Sequence, residues 1–256
     1  MTSSLDIERL LADRVKDIET SGIRRVWSLA QGCEDPVNLS IGQPDFRVPS
    51  ELKQAAVNAI LEDRNGYTQT KGLGELLSVI HARMNQEFAW TFGESGSHDA
   101  MVTSGTAGAL TLACLSVLNP GDELIIPDPY FVIYPTLARI AEAKTVLCNT
   151  YPDFRMTAHR IEPLITSKTK AILLNSPANP TGVVLSKKEV NDVAALCRDR
   201  EILLIADEIY DEFVFPPIKH ASPASCGNDV LVIRGYGKTY GCTGWRMGYA
   251  AGPKKL

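Results

Sequence analysis

Val230-Leu-Val-Ile-Arg-Gly-Tyr-Gly-Lys-Thr-Tyr-Gly-Cys-Thr-Gly-Trp-Arg-Met-Gly-Tyr249 is the stretch on which the reading of this chain turns. Its first four residues, β-branched and aliphatic, predict a buried strand. The glycine-rich run that follows places Lys238 at the end of that strand, among small residues. Burial away from water lowers a lysine pKa, and such a lysine is a usable nucleophile. Arg246 adds a fixed cation whose planar fork of donors suits a phosphate. Two nucleotide-binding readings fail on spacing. A G-x-x-x-x-G-K-[ST] loop ending at Lys238-Thr239 needs a glycine where Val232 stands, and a dinucleotide fingerprint from Gly235 needs one where Tyr240 stands. Taken alone, the run also fits a surface lysine in a glycine-rich turn.

Outward from this stretch, short apolar runs alternate with helical patterns from about residue 100 onward. Strands are predicted near Met101–Thr103, Glu123–Pro127, Thr145–Cys148, Ala171–Asn175, Ile202–Ala206 and Val230–Ile233. Helices are predicted at about 106–118 and 187–200, the second opening on the capping-box spacing Ser186-Lys-Lys-Glu189. Such alternation implies an α/β fold, a parallel sheet with helices on both faces. Ligands of such sheets lie outside the carboxyl ends of the strands. Before residue 100 the pattern is looser. Residues 1 to about 22 read as a polar amphipathic helix carrying Leu5, Leu10, Leu11 and Val15. Ser50 is a plausible N-cap for a helix at about 50–62, and another helix runs to about Phe88.

Four segments at the predicted strand ends carry chemistry. Ser104-Gly-Thr-Ala-Gly108 joins strand to helix, where small residues and a helix start favour an anion, although a plain tight turn has the same composition. Pro127-Asp-Pro-Tyr-Phe131 brings aromatics to the same edge; core packing would account for either ring singly. Asn175-Ser-Pro-Ala-Asn-Pro-Thr-Gly182 is a rigid turn presenting the amide of Asn179 as a donor. Asp207, ending an apolar strand, is costly there unless it meets a cation or caps the next helix, and Tyr210 can present a hydroxyl to the same space.

Composition bounds the rest. At 256 residues, 45% hydrophobic and 22% charged, the chain matches an ordinary globular protein. A net charge of -4 gives no sign of a nucleic-acid partner or an anionic membrane, and no apolar run approaches a membrane span. The six cysteines (Cys33, Cys114, Cys148, Cys197, Cys226 and Cys242) form no C-x-x-C pair, and no signal-peptide pattern opens the chain. They are read as reduced thiols of a cytoplasmic protein. The histidines (His81, His98, His159 and His220) show no metal spacing and are read as structural or solvent-facing, with no metal site expected.

A phosphate cradle, an aromatic plate, a donor amide, a carboxylate, a phenol, a lysine and an arginine at one sheet edge suit a planar, phosphorylated, cationic-ring aldehyde. With them, the ordered signatures Ile41-Gly-Gln-Pro-Asp-Phe46, Tyr67-Thr-Gln-Thr-Lys-Gly72, Asn175–Gly182, Asp207-Glu-Ile-Tyr210 and Lys238…Arg246 give a clear resemblance. The chain resembles the class I/II aminotransferases, fold-type-I enzymes that use pyridoxal 5'-phosphate. The resemblance runs from about Asn38 to the last residue. It implies a three-layer α/β/α large domain with a mainly parallel sheet at 46–256, preceded by an arm and part of a small domain at 1–45. It implies amino transfer between an α-amino acid and a 2-oxo acid, in a homodimer. Lys238 would hold the cofactor covalently and move the proton at the substrate Cα. Asp207 would pair with the ring nitrogen, and Asn179 and Tyr210 would bond the ring oxygen. Phe131 stands where the family commonly stacks a tryptophan. Gly105, Thr106, Ala107 and Arg246 would hold the phosphate, which Tyr67 reaches from a neighbouring subunit. Gly42 would lie beside the substrate carboxylate.

The resemblance breaks in two places. Many relatives carry serines three and one positions before the lysine, where this chain has Gly235 and Gly237, so one phosphate-binding hydroxyl is expected to be missing. Relatives also continue past the segment matching Gly248–Pro253 into a small domain carrying a carboxylate-binding arginine. The expectation is of a chain truncated before that domain and not competent for turnover as written. The alternatives left open are a lyase on the same fold (C–S β-elimination or 1-aminocyclopropane-1-carboxylate formation), a ligand-binding module without catalysis, and an inactive truncated product.

Overall fold

In the computed structural model, which describes residues 5–16, 18, 22, 26, 29, 32, 34, 35, 37 and 42–256, seven strands form one sheet. They are β1 (His98–Ser104), β2 (Glu123–Asp128), β3 (Lys144–Asn149), β4 (Thr169–Asn175), β5 (Leu203–Asp207), β6 (Val230–Gly235) and β7 (Met247–Pro253). Their spatial order is β1-β7-β6-β5-β4-β2-β3. β7 runs antiparallel to both of its neighbours, and every other pairing is parallel. The six strands expected from the apolar runs are all present. The one expected from Ile202 starts a residue later.

The side-chain alternation of the strands explains the layers. Leu124, Ile126, Ala171, Leu173, Ile205, Leu231 and Ile233 face one side and pack with α3 (Gly105–Val117) and α4 (Ile133–Ile140). Ile125, Ile172, Leu174, Leu204, Ala206, Val230 and Val232 face the other, against α2 (Gly74–Phe88) and α5 (Lys187–Asp199). Burial on both faces is why these strands read as unbroken apolar runs. Each such side chain, fully buried, contributes about 1.5–3 kcal/mol. α5 begins where its cap predicts: the Glu189 N–H reaches the Ser186 hydroxyl, and the Glu189 carboxylate accepts from the Ser186 N–H at 2.7 Å.

A buried ionic cluster ties α2 to the ends of β5 and β6. Arg234, 2% exposed, donates to Glu208 at 2.9 Å and lies 2.8 Å from Glu87 and 3.3 Å from Asp211. Arg83 joins the same cluster through Glu87 at 2.7 Å and Asp211 at 2.9 Å. The Arg234 charge, with His220 beside it, keeps Glu208 below the usual carboxylate range although burial pushes the other way. His98 is buried with its ring stacked on Trp90, and His81 stacks on Phe92.

Two amino-terminal expectations are corrected. Ser50 is the first residue of α1 (Ser50–Leu61), and Pro49 occupies the cap position. The Ser50 hydroxyl bonds the neighbouring Glu51 carboxylate at 3.0 Å and no backbone amide. The helix expected over residues 1–22 is broken where described: a 3-10 turn at Ile7–Leu10 and an α turn at Asp13–Lys16 are separated at the extended Leu11, and Gly22 is again helical. Leu5, Leu10, Leu11 and Val15 are all exposed. The Asp13–Lys16 turn meets the end of α4, Arg14 pairing with Glu142 at 2.9 Å and Arg139 donating to the Asp13 carbonyl at 3.3 Å. Asn38–Ile41, the start of the first signature, lies outside the described residues. Among the described residues no helix is long and apolar enough to cross a membrane.

Candidate active site

Because β7 is antiparallel, its first residues lie at the same edge as the carboxyl ends of the other strands. Ser104 pairs with Met247, Gly235 with Gly248, and Asn175 with Asp207. A cavity of 290 Å³ opens at this edge. It is lined by Gly42, Thr106, Phe131, Asn179, Tyr210 and Lys238, with Asp207 behind them.

Lys238 sits on the single helical turn Tyr236–Thr239 that follows β6. Its Nζ donates to the Gly42 carbonyl and lies 5.7 Å from the centre of the Tyr210 ring. Burial, and then the charge of Arg246, lower its pKa. That is the direction a nucleophilic amine needs.

Asp207 ends β5 with 2% of its surface exposed. Among the described residues no basic side chain pairs with its carboxylate, so the cation that the sequence reading asks for is left to a ligand. Its Oδ2 accepts from the Tyr134 hydroxyl at 2.7 Å, and its Oδ1 from the Ile209 N–H at 3.3 Å. Burial pushes the Asp207 carboxyl up to about 6, against those two hydrogen bonds. A buried carboxylate lining a cavity suits a positively charged ligand group.

Asn175 bridges two strand ends, its Nδ2 donating to the Asp207 carbonyl at 2.9 Å and its Oδ1 accepting from the Asn179 N–H at 2.7 Å. That ladder holds Asn179 against Tyr210. Burial, then the Asp207 charge, raise the Tyr210 phenol above its ordinary value, and a hydrogen bond with the Asn179 side chain opposes them. Phe131 meets Tyr134 edge to face, with centroids 5.6 Å apart.

The start of α3 forms the cradle. Gly105 has φ +66°, and a Cβ there would stand 2.5 Å from the Arg246 Nη2. Its N–H donates to the Arg246 carbonyl at 2.9 Å, and Arg246 Nη1 donates to the Thr243 carbonyl at 3.0 Å. The guanidinium therefore rests on the first turn of α3, where Thr106 and Ala107 begin the helix and intrahelical partners for N–H groups are lacking. The departure at Gly235 has a local cause. A Cβ on Gly235 would come within 2.9 Å of Ile209 Cδ1 and 3.1 Å of Thr106 Cγ2, so the space of a serine side chain is filled.

Most of the expected site residues thus meet. Tyr67 does not: it is fully exposed and away from the cavity lining. Sequence reasoning passed over Tyr134, Asn175 and Ile209. Tyr134 sits in the apolar run Phe131-Val-Ile-Tyr-Pro-Thr-Leu137, where an aromatic reads as core. The demand of Asp207 for a donor was the only signal pointing to it. The residues present fit pyridoxal phosphate: a buried carboxylate without a cation, a cradle a Cβ would fill, and a lysine of lowered pKa.

Comparison with known proteins agrees with this geometry. The sequence model of the family described as "Aminotransferase class I and II" matches residues 34–256. A Bacillus subtilis protein named "Probable N-acetyl-LL-diaminopimelate aminotransferase" is 35% identical over 98% of this chain and 63% of its own length. The aspartate aminotransferase of Pyrococcus abyssi is 33% identical over 95% of this chain and 63% of its own. The solved structure of Thermus thermophilus aspartate aminotransferase with maleate superposes with a TM-score of 0.89 at 34% identity, covering 96% of this chain and 65% of that one. The chain spans about 63% of the length of these curated relatives. A matching family model over most of the sequence, relatives above 30% identity and a shared fold lead to one conclusion: the chain belongs to the class I and II aminotransferases.

Proposed function

We propose that this chain is the cofactor-binding part of a pyridoxal-phosphate-dependent aminotransferase moving an amino group between an α-amino acid and a 2-oxo acid. The observation that carries the reading is Asp207, buried, without a protein cation and lining the cavity that Lys238 enters. When bound, the cofactor supplies an electron-withdrawing ring that stabilises negative charge developing at the substrate Cα. Lys238 would hold the cofactor, and its amine would move the proton at the substrate Cα. Asp207 would accept from the ring N–H and favour protonation of that nitrogen. Asn179 and Tyr210 would bond the ring oxygen, and Phe131 would pack on the ring. Gly105, Thr106, Ala107 and Arg246 take the phosphate. The Gly42 backbone borders the substrate carboxylate.

The same proposal extends to assembly. Residues 46–256 form the large domain, and 1–45 the arm with part of a small domain. Tyr67, exposed on its own subunit, would reach the phosphate of a second copy in a homodimer. The described cysteines are all free thiols, in keeping with a cytoplasmic site of action.

Borohydride reduction of the chain loaded with pyridoxal phosphate tests the assignment. A pyridoxyl group fixed on the peptide containing Lys238 supports it, and labelling of Lys71 or Lys187 instead refutes it. Stoichiometric exchange of a 2-oxo acid for an amino acid, without release of pyruvate or a cyclised product, distinguishes transfer from elimination.

A further inference from the structure

Asp207 is the group on which the proposed site depends, and its environment is nearly bare. One of its oxygens, Oδ2, takes a hydrogen bond of 2.7 Å from Tyr134, and the other keeps only the 3.3 Å contact from the Ile209 amide. Tyr134 lies in the first turn of α4 with no exposed surface, packed among Leu110, Leu137 and Ile126. A phenol so enclosed has one partner for its hydroxyl, and that partner is the carboxylate. The other ionisable groups near Asp207 do not take over this work. Glu208 follows it in the chain and turns to Arg234 at 2.9 Å and to His220 at 3.3 Å. Tyr210 lies three residues on, with its hydroxyl engaged toward Asn179. Lys238 donates to the Gly42 carbonyl.

We propose that Tyr134 is a positioning residue that acts through Asp207: its hydroxyl holds the carboxylate ionised in a dry setting and commits Oδ2, leaving Oδ1 for the ring nitrogen of the cofactor. Its purpose rests on the cofactor reading above; its test does not. The same ring is set edge-on to Phe131, so one side chain supports both the carboxylate and the aromatic plate. Tyr134→Phe keeps that contact and the packing volume and removes only the donor. A charge-assisted hydrogen bond is among the stronger ones, so its loss is large on the scale of carboxylate ionisation.

The experiment follows the carboxyl carbon of Asp207 by NMR in the cofactor-free chain labelled with 13C-aspartate. Asp207→Asn identifies its signal. In Tyr134→Phe the midpoint of its titration should rise by about one pH unit or more, a roughly tenfold weaker acid. Replacement of Tyr134 by 3,5-difluorotyrosine, nearly the same size and a stronger donor, should move the midpoint down. A folded Tyr134→Phe whose midpoint stays within about 0.3 unit of the parent overturns the proposal, because a purely packing role predicts no change. If Tyr134→Phe does not fold, the fluorinated protein decides: a lowered midpoint supports the proposal and an unmoved one overturns it. Uptake of pyridoxal phosphate by the parent chain is measured alongside. Its failure would sink the functional reading while the titration still judges Tyr134.

Discussion

Asp207 shows how a single residue can trade stability for chemistry. The rise of its carboxyl from an ordinary 3.8 to about 6 corresponds to a penalty of about 3 kcal/mol for keeping the charge in the folded, cofactor-free protein. Because the folded value lies above the unfolded one, the folded state holds the extra proton between these values. The penalty is therefore absent below about pH 4 and complete above about pH 6. Asp207→Asn should stabilise the cofactor-free chain at pH 7 by up to about 3 kcal/mol, with the gain vanishing near pH 4. Urea unfolding at the two pH values checks it, and equal gains at both would contradict the burial argument. At Gly105 the constraint is steric. Gly105→Ala places a Cβ at φ +66°, costing about 1–2 kcal/mol, and drives it into the Arg246 guanidinium. Affinity for pyridoxal phosphate should fall at least tenfold, read by equilibrium dialysis, because the displaced cation no longer rests on the start of α3. Lys238, Asp207, Tyr210, Asn179 and Arg246 were legible in the sequence because they are polar residues at the ends of apolar strands or in the turns that flank them, in the order of the family's motifs. Tyr134 was not: its hydroxyl matters through a partner far off in sequence, and within its own run it looks like packing.

At the level of elements, the sheet was readable because strands buried on both faces leave uninterrupted apolar runs. α5 was readable because Ser186 and Glu189 satisfy each other's backbone donors. Ser186→Ala should cost about 1 kcal/mol in urea unfolding. Glu189→Gln should do more in the same assay, since the carboxylate also takes a bidentate pair from Arg155 at 2.5 Å. That pair, with the Ser186 bonds, holds Glu189 down to about 2, so its contribution is present above about pH 4.5 and lost as pH falls toward 2. At the amino terminus the reading and the structure part. The Leu5–Val15 pattern is amphipathic, yet its leucines stay in solvent. Local sequence reports the face a helix could bury, and only the rest of the molecule supplies something to bury it against. Ser50 failed for a smaller reason: Pro49 already stands at the cap.

Across the whole molecule, the cluster of Arg234, Glu208, Asp211, Arg83 and Glu87 fastens α2 to the two strand ends that present Asp207 and Lys238. Arg234→Met should cost about 3–5 kcal/mol, because it strands buried carboxylates without their cation. Differential scanning calorimetry should show that loss, together with a midpoint more sensitive to high pH than that of the parent. No single segment announced this cluster, since its members come from three elements and each alone reads as a surface charge.

The pairing of β1 with β7 has a consequence in time. Among the described residues β1 has no other neighbour in the sheet, and its partner β7 lies about 150 residues later in the chain. As the chain leaves the ribosome, β2 to β6 can assemble among themselves, but Gly105 and the start of α3 gain their anchor only when residues 247–253 emerge. Arg246 arrives in the same moment, immediately before that strand. The proposed anion cradle therefore forms after Lys238 and Asp207 are already in place, and a nascent chain arrested before Met247 should carry those two residues without the strand that anchors the start of α3.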